Sequence, residues 1–570
     1  MSEDASKPGR DPRREVPGRP LRWRVRELNP SIDSQRAGAR PPLPTAYVRD
    51  RIIVQGFPAD DESRLGSVLG ELSKAAAELG WELKVEPEDL VEARLLREAQ
   101  LGAEAQRDIE GAFGFGLRIE PAPGTTRRPA DAWDLVERFG YDAGEGVRLS
   151  LDHVVVAAPY TDPHPYTDPH PYTDPHPYTD PHPYTDPHPY TDPHPAPGLA
   201  EYGQPGLGGR GPVSYVGPRP RRRHGEGASP ELTDRGLARP VVAVLDSGTG
   251  PHPWLPEGVV VRDPRVLGVP VGTFPVPANP EEDCEIGGMS IQPLTGPLDP
   301  VAGHGTFISG LVHQQCPDAL ILAARLYGGT GFIAEWDLLR SLRRLLMYQL
   351  LALQGRKGYL AVDVLVLACG YRHERPEDAL FDAPFAGVLR ALRRHGVAVV
   401  VSAGNSGSLV PLYPAAFAPW LDHSASPPVP LDDAGLEADL APLVSVGALN
   451  PNGTTALFSN DGPWVTCQRP GAGLVSTMPI TMRGSRGPSA ELAGRRPGER
   501  RATIDLDDFA GGFGTWSGTS FAAPLYAGEI ASALLESRAS GKGGAGATVP
   551  ERCKEAWKAV STTAGLGPVT

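Results

Sequence analysis

Four polar residues stand where a chain can do acyl chemistry. Asp246 closes the apolar run VVAVLD, and Asn405 closes AVVVSAGN. His304 sits between two glycines in DPVAGHGTFISGLV, ahead of a stretch that reads as helix. Glycine on both sides lets backbone or substrate approach the imidazole. Ser520 stands in SGTSFAAP, at the mouth of another apolar helix. Each residue has an ordinary structural use: Asp and Asn form turns at strand ends, a core His is held by hydrogen bonds, and Ser or Thr caps a helix. Each also has a chemical use. A serine hydroxyl is a nucleophile once a base takes its proton and a third group orients that base. An Asn side chain donates to a developing oxyanion.

The elements that would position these residues begin at Val241. VVAVLD, LILAARL, DVLVLACG, GVAVVVSAGN and LVSVGAL are short, continuous apolar runs, several of them separated by helical stretches such as EWDLLRSLRRLLMYQLLALQG. Runs buried on both faces predict a parallel sheet covered by helices. In such sheets sites form beyond the carboxyl ends of the strands, which is where Asp246 and Asn405 lie.

DSG at Asp246 followed by HPWL, GHGTFISG at His304, SAGNSG at Asn405 and GTSFAAP at Ser520 together resemble the four signature blocks of the subtilisin-like serine peptidases, in that family's order. The order Asp, His, Ser separates this pattern from trypsin-like and α/β-hydrolase triads. Sedolisins share the serine block but use Glu for the His and Asp where Asn405 stands, and fit worse. The resemblance runs from about Val241 to about Ala564. It implies an α/β fold, three-layered and doubly wound around a mainly parallel sheet. It also implies serine endopeptidase activity, with Ser520 as nucleophile, His304 as base, Asp246 orienting it and Asn405 in the oxyanion hole. Leu367, Ala368, Cys369 and Gly370 would lie along the substrate, which would bind by strand addition. Cys369 reads as a small packing residue, and Ser517 and Thr519 as turn and cap hydroxyls. The chain departs from the family in a long spacing between Asp246 and His304, with an insertion placed within Gly268 to Pro300. A second insertion, MRGSRGPSAELAGRRPGERR, precedes the serine block, and Phe307 stands where many relatives have a second His. No calcium-loop pattern is evident, so no cofactor is assigned, although the family resemblance admits calcium. The competing reading is a catalytically inactive subtilisin-fold module that binds peptides or partners.

Ahead of the catalytic region the chain divides into residues 1–44, an Arg/Pro-rich arm read as disordered, residues 45–158, and a linker, 159–237. In 45–158, RIIVQ, GLRIE and VRLSLDHVVVAA read as strands. Leu65, Val68, Leu69, Leu72 and Leu79 mark one helix, ADAWDLVERFG another, and Pro87 to Asp108 a third. Interleaved strands and helices make a small α/β domain. Its end resembles that of the propeptides of secreted family members, which implies intramolecular inhibition and a cut near Ala158; the other reading is a regulatory domain. The linker holds six unbroken YTDPHP repeats from Tyr160 to Pro195. Two prolines per unit favour polyproline II, placing the histidines of successive units about 19 Å apart. That is too far to share a metal, so the tract reads as a semi-rigid spacer. Arg219 and Arg221 to Arg223 beyond it read as a solvated basic stretch.

Composition bounds the function further. A net charge of −14 argues against general nucleic-acid binding. Gly 67 and Pro 63 require extensive loops. Five scattered Cys give neither a disulfide framework nor a paired zinc motif. No run approaches the ~18 apolar residues of a membrane span, and no apolar run follows the N-terminal arginines, so a cytoplasmic location is favoured over a secreted one. The implied partner is a protein or peptide substrate.

Overall fold

The computed structural model describes residues 24–28, 41–57, 61–110, 112–124, 129–139, 142–144, 147–157, 202, 204, 208–291, 296–375, 383–426, 428–431, 436–541 and 547–565. The YTDPHP tract and the junction at Ala158 lie outside them. The chain divides into two compact units. The first draws on Met1–Val155, Phe332–Arg340 and Tyr371–Pro384; the second on Val156–Gly331, Ser341–Gly370 and Phe385–Thr570.

The second unit is built on a seven-stranded sheet. Its order is Cys467–Pro470, Leu443–Leu449, Ala398–Ser402, Val364–Leu367, Val241–Asp246, Leu320–Arg325, Val260–Arg262, with every neighbouring pair parallel. Val242, Val244 and Val400 share a core with Phe307 and Leu311 of the helix His304–Gln315 and with Tyr526 of the helix Thr519–Ala539. Ala243 and Leu245, alternating with those valines, are equally buried, so both sheet faces are covered, as continuous apolar strands demand. Phe307, standing where many relatives have a histidine, packs against Phe521 in a tilted arrangement with ring centroids 4.5 Å apart. The second insertion forms a small hairpin of Glu491–Ala493 with Arg500–Ala502.

Part of the stretch read as linker is docked to this unit. Gly211–Pro212 pairs with the strand Phe513–Trp516. The basic stretch is not simply solvated: the Arg223 N–H donates to Asp318 at 2.6 Å, and Arg239 pairs with the same carboxylate at 2.5 Å. Arg222 is half-buried and donates to the Gly258 carbonyl at 2.5 Å.

The first unit carries an antiparallel sheet ordered Trp81–Val85, Gly114–Pro121, Ala46–Gln55, Val147–Ala157. Ile52, Leu72, Trp81, Phe115, Trp133 and Leu151 form its core. Three sequence readings are corrected here. Trp81–Val85 is a strand that alternation did not flag. The helix drawn from Pro87 to Asp108 is two, Pro87–Ala99 and Ala103–Glu110, because Gln100 adopts a left-handed conformation at φ 49. Val25–Glu27, inside the arm read as disordered, pairs with Ala46–Val48, and Arg24 meets Asp50 at 2.7 Å. Backbone pairing needs no apolar sequence, so composition alone missed it.

This unit also buries charge. Arg51, 4% exposed, meets Asp152 at 2.5 Å and Asp337 at 3.3 Å. The His153 imidazole lies between two carboxylates, Glu335 at 2.5 Å from Nδ1 and Glu374 at 2.7 Å from Nε2. Among the described residues no helix is long and apolar enough to cross a membrane.

Candidate active site

Asp246 ends its strand and is 1% exposed. Its Oδ1 lies 2.8 Å from His304 Nδ1 and accepts the Ser247 N–H at 2.7 Å, while Oδ2 accepts the Tyr327 hydroxyl at 2.6 Å. Burial pushes this carboxyl up. The His304 imidazole and the Tyr327 and Ser247 hydrogen bonds outweigh it and hold the group below the usual carboxylate range. Burial and the Asp246 charge raise the Tyr327 phenol well above its ordinary value, so it is a donor only.

His304 opens its helix after Gly303, whose φ of 78 suits glycine. Its ring is buried, and Nε2 has no hydrogen-bond partner among the described residues. The ring packs against Trp516 at 5.7 Å and Phe521 at 5.3 Å. Phe521 follows Ser520, the second residue of the helix Thr519–Ala539. The fold therefore brings Asp246, His304 and the serine helix together. Ser520 Oγ itself donates to the Ala368 carbonyl at 3.4 Å and not to His304.

Asn405 lies three residues past the strand Ala398–Ser402. Its Oδ1 accepts from the Thr519 N–H at 2.9 Å and from Thr519 Oγ1 at 2.8 Å, and Thr519 Oγ1 accepts the Gly404 N–H at 3.1 Å. Thr519 is thus a clasp between the start of its helix and the Gly404–Asn405 loop, not a cap; Gly518 occupies the N-cap position and no side chain caps the helix. Ser517 likewise reaches across, donating to the Gly208 carbonyl at 2.6 Å and accepting the Gly473 N–H at 2.9 Å.

The four residues read as substrate-binding divide. Leu367 is paired on both sides within the sheet, with Leu245 and Val401. Cys369 and Gly370 pair antiparallel with Ala157 and Val156 of the same chain, so this edge carries a strand already. The Ala157 N–H also donates to the Gly331 carbonyl at 2.8 Å. The Cys369 thiol is buried and pushed well up by burial, the Asp246 charge adding to it. Sequence reading missed Tyr327 and Glu285, a buried carboxylate in the insertion that bonds Ser247 and Thr306.

Among the described residues, His153, His373 and Glu374 of the first unit form one group with metal-ligand chemistry, their ligand atoms within 4.8 Å. Two imidazoles and one carboxylate suit a transition metal rather than calcium, which takes oxygen ligands. Both ring nitrogens of His153 are already engaged by carboxylates.

Comparison with known proteins identifies the fold. The family model described as the subtilase family matches residues 238–547. The chain belongs to the subtilase family. Membership gives residues 238–547 the subtilisin-like fold of this family, and an additional antiparallel-sheet domain precedes them in the chain. No curated protein matches the sequence. Among solved structures, the subtilase is similar to fervidolysin from Fervidobacterium pennivorans, a keratinolytic enzyme related to subtilisin, at 17% identity and a TM-score of 0.41 over 86% of this chain. It spans 55% of fervidolysin's length. It is similar also to a lanthipeptide protease at 20% identity and a TM-score of 0.34, covering 55% of this chain and 78% of that one. A mutant of the protease domain of PatA matches at 18% identity and a TM-score of 0.34, over 55% of this chain and 90% of that one.

Proposed function

We propose that this subtilase is a serine endopeptidase working through Asp246, His304 and Ser520, with Asn405 in the oxyanion hole. The observation that carries the reading is the 2.8 Å contact of Asp246 with His304 Nδ1, which leaves Nε2 buried and unpartnered. Asp246 accepts the Nδ1 proton and so fixes the tautomer in which Nε2 is basic. In the reaction Ser520 Oγ bonds to the substrate carbonyl carbon while its proton passes to Nε2. The oxyanion takes hydrogen bonds from the Asn405 amide and the Ser520 N–H at the helix N-terminus. Nε2 then returns the proton to the departing amine as the C–N bond breaks, and water repeats the sequence on the acyl-enzyme.

We infer further that the described arrangement is a self-blocked one. Val156–Ala157 take the antiparallel place on Cys369–Gly370 that a substrate strand would take. The Ser520 bond to the Ala368 carbonyl fits a resting nucleophile.

The test compares the full chain with Ser520→Ala, using a fluorophosphonate probe and intact mass. Labelling of wild type alone supports the serine chemistry, and loss of about the first 160 residues adds self-processing by the same serine. Wild type that stays unlabelled, also with Ala157→Pro in place to weaken the blocking strand, overturns the reading in favour of an inactive peptide-binding module.

A further inference from the structure

Glu285, from the insertion between the Asp246 and His304 blocks, is completely buried, and four donors converge on it. Oε1 accepts Ser247 Oγ at 2.5 Å and the Gly305 N–H at 3.0 Å. Oε2 accepts the Thr306 N–H at 3.2 Å and Thr306 Oγ1 at 2.5 Å. Two of these donors are first-turn amides of the His304 helix, which have no partner inside the helix. A carboxylate there also faces the positive end of the helix dipole. The other two are hydroxyls from the residues that follow Asp246 and Gly305.

The packing leaves no slack. A Cβ on Gly250 would stand 2.0 Å from the Glu285 carbonyl, and one on Gly305 would stand 2.0 Å from the Gly248 carbonyl. The loop is moored from behind: Asp283 accepts the Glu285 N–H at 2.8 Å and Arg325 at 2.9 Å.

Ser247 links this carboxylate to the catalytic one. Its hydroxyl has a single hydrogen and two carboxylates within reach, Glu285 Oε1 at 2.5 Å and Asp246 Oδ1 at 3.0 Å, while it accepts the Gly305 N–H at 2.9 Å. With Glu285 ionised, the hydrogen serves Glu285. With Glu285 protonated, the Glu285 O–H donates to Ser247 Oγ, and the Ser247 hydrogen turns to Asp246. One proton on Glu285 thus adds a donor to Asp246 and removes a negative charge from beside the Asp246–His304 pair.

We propose that Glu285 is a positioning residue for catalysis: it ties the Asp246 turn to the first turn of the His304 helix and, through the Ser247 hydroxyl, sets how many hydrogen bonds Asp246 receives. The proposal rests on the triad reading above. The change of state belongs to the neutral range. Burial lifts the Glu285 carboxyl to about 7, Asp246 adding to the rise, while the Ser247 and Thr306 hydroxyls and Arg325 pull against it. Among the described residues, Asp283 and Cys284 on its own loop and Arg262 on the sheet also face it.

The experiment uses the full chain with Glu285→Gln, and with Ser247→Ala, which cuts only the link. First, kcat/KM is followed against pH. Glu285→Gln is expected to move the acid limb down by about half a unit to one unit, by removing a nearby charge, and to sharpen it, because two protonations that oppose each other no longer spread the limb. A profile that superimposes on wild type overturns the proposal and leaves the triad reading standing. Second, unfolding midpoints are measured for Glu285→Gln, Asp246→Asn and the double variant, with and without Ser247→Ala; this needs no activity. Non-additive midpoint shifts that vanish without the Ser247 hydroxyl support the link even if the triad reading has failed by its own test. Additive shifts in both backgrounds overturn it.

Discussion

Replacing Thr519 by Val isolates what holds Asn405, the proposed oxyanion donor. The shapes match, and only the hydroxyl is lost. Two hydrogen bonds go with it, the 2.8 Å bond to Asn405 Oδ1 and the 3.1 Å bond from the Gly404 N–H. Each contributes roughly 0.5–1.5 kcal/mol, and a buried N–H left without a partner costs a further ~1–3 kcal/mol. The sum, about 2–6 kcal/mol of stability, is measurable and over most of that range smaller than the ~5–15 kcal/mol that keeps a protein folded. The kinetic effect is separate. Losing an oxyanion-hole donor outright costs about 10² to 10³ in turnover, or ~2.7–4 kcal/mol. Here the Thr519 N–H still holds Asn405 at 2.9 Å, so part of the anchoring survives. A fall in kcat of roughly fivefold to thirtyfold is expected, with KM little changed, because the interaction belongs to the transition state. The assay is turnover of a fluorogenic peptide by wild type, Thr519→Val, Asn405→Ala and the double variant, normalised to probe-titrated active sites. Once Asn405 is Ala, the Thr519 hydroxyl has no catalytic partner, and its loss should change kcat by less than about twofold. An equal loss of kcat in both backgrounds would refute the reasoning, because the hydroxyl would then be acting through something other than Asn405.

Three further expectations follow from named contacts. Ala157→Pro removes the N–H that donates to Gly331 at 2.8 Å, so the full chain should react with a fluorophosphonate about fivefold to tenfold faster; an unchanged or slower rate contradicts the blocked arrangement. Burial alone would lower the His153 imidazole, but Glu374 and Glu335 raise it well above 6.5. The folded state therefore binds this proton more tightly than the unfolded one. The stability is complete below pH 6.5 and is lost as pH rises through the raised value. Thermal unfolding of wild type against His153→Gln should accordingly show the largest difference at mildly acidic pH and a shrinking one on the alkaline side; a difference that grows with pH counts against the double carboxylate clamp. Cys369 is 1% exposed with its thiol raised by burial, so iodoacetamide at pH 8 should modify it only after unfolding, and modification of the native protein, located by peptide mass, would show the edge to be open.

The parts of the fold that were legible share a physical cause. A strand buried on both faces has to be apolar throughout, so the runs ending in Asp246 and Asn405 announce the sheet. The family was readable because each of the four blocks confines its pattern to a few consecutive residues. The small domain was readable where helices keep one apolar face, as Leu65 to Leu72 do, and unreadable where backbone alone decides. Gln100 breaks a helix whose side-chain pattern continues past it, and Val25–Glu27 pairs by main chain within a polar arm.

What remained hidden is set by register rather than by neighbourhood along the chain. The parallel pairing places Arg325 beside Asp246, so the chain leaving the adjacent strand passes the Asp246 carboxylate, and Tyr327, two residues on, reaches it. A hydroxyl-bearing aromatic just past the strand beside an Asp-tipped strand was the available signal, and it becomes readable only once the strand order is known. Glu285 gave less, because an insertion has no period and a carboxylate in it reads as solvated. Its function depends on three segments meeting: its own loop, the turn after Asp246 and the first turn of the His304 helix. The same logic applies to His153, whose partners Glu335 and Glu374 lie far along the chain in segments that the first unit recruits. Buried charge needs its partners assembled from distant segments. Residues of this kind are therefore the ones that a reading of the chain in order overlooks, and the ones whose substitution should uncouple parts of the fold that short motifs treat as independent.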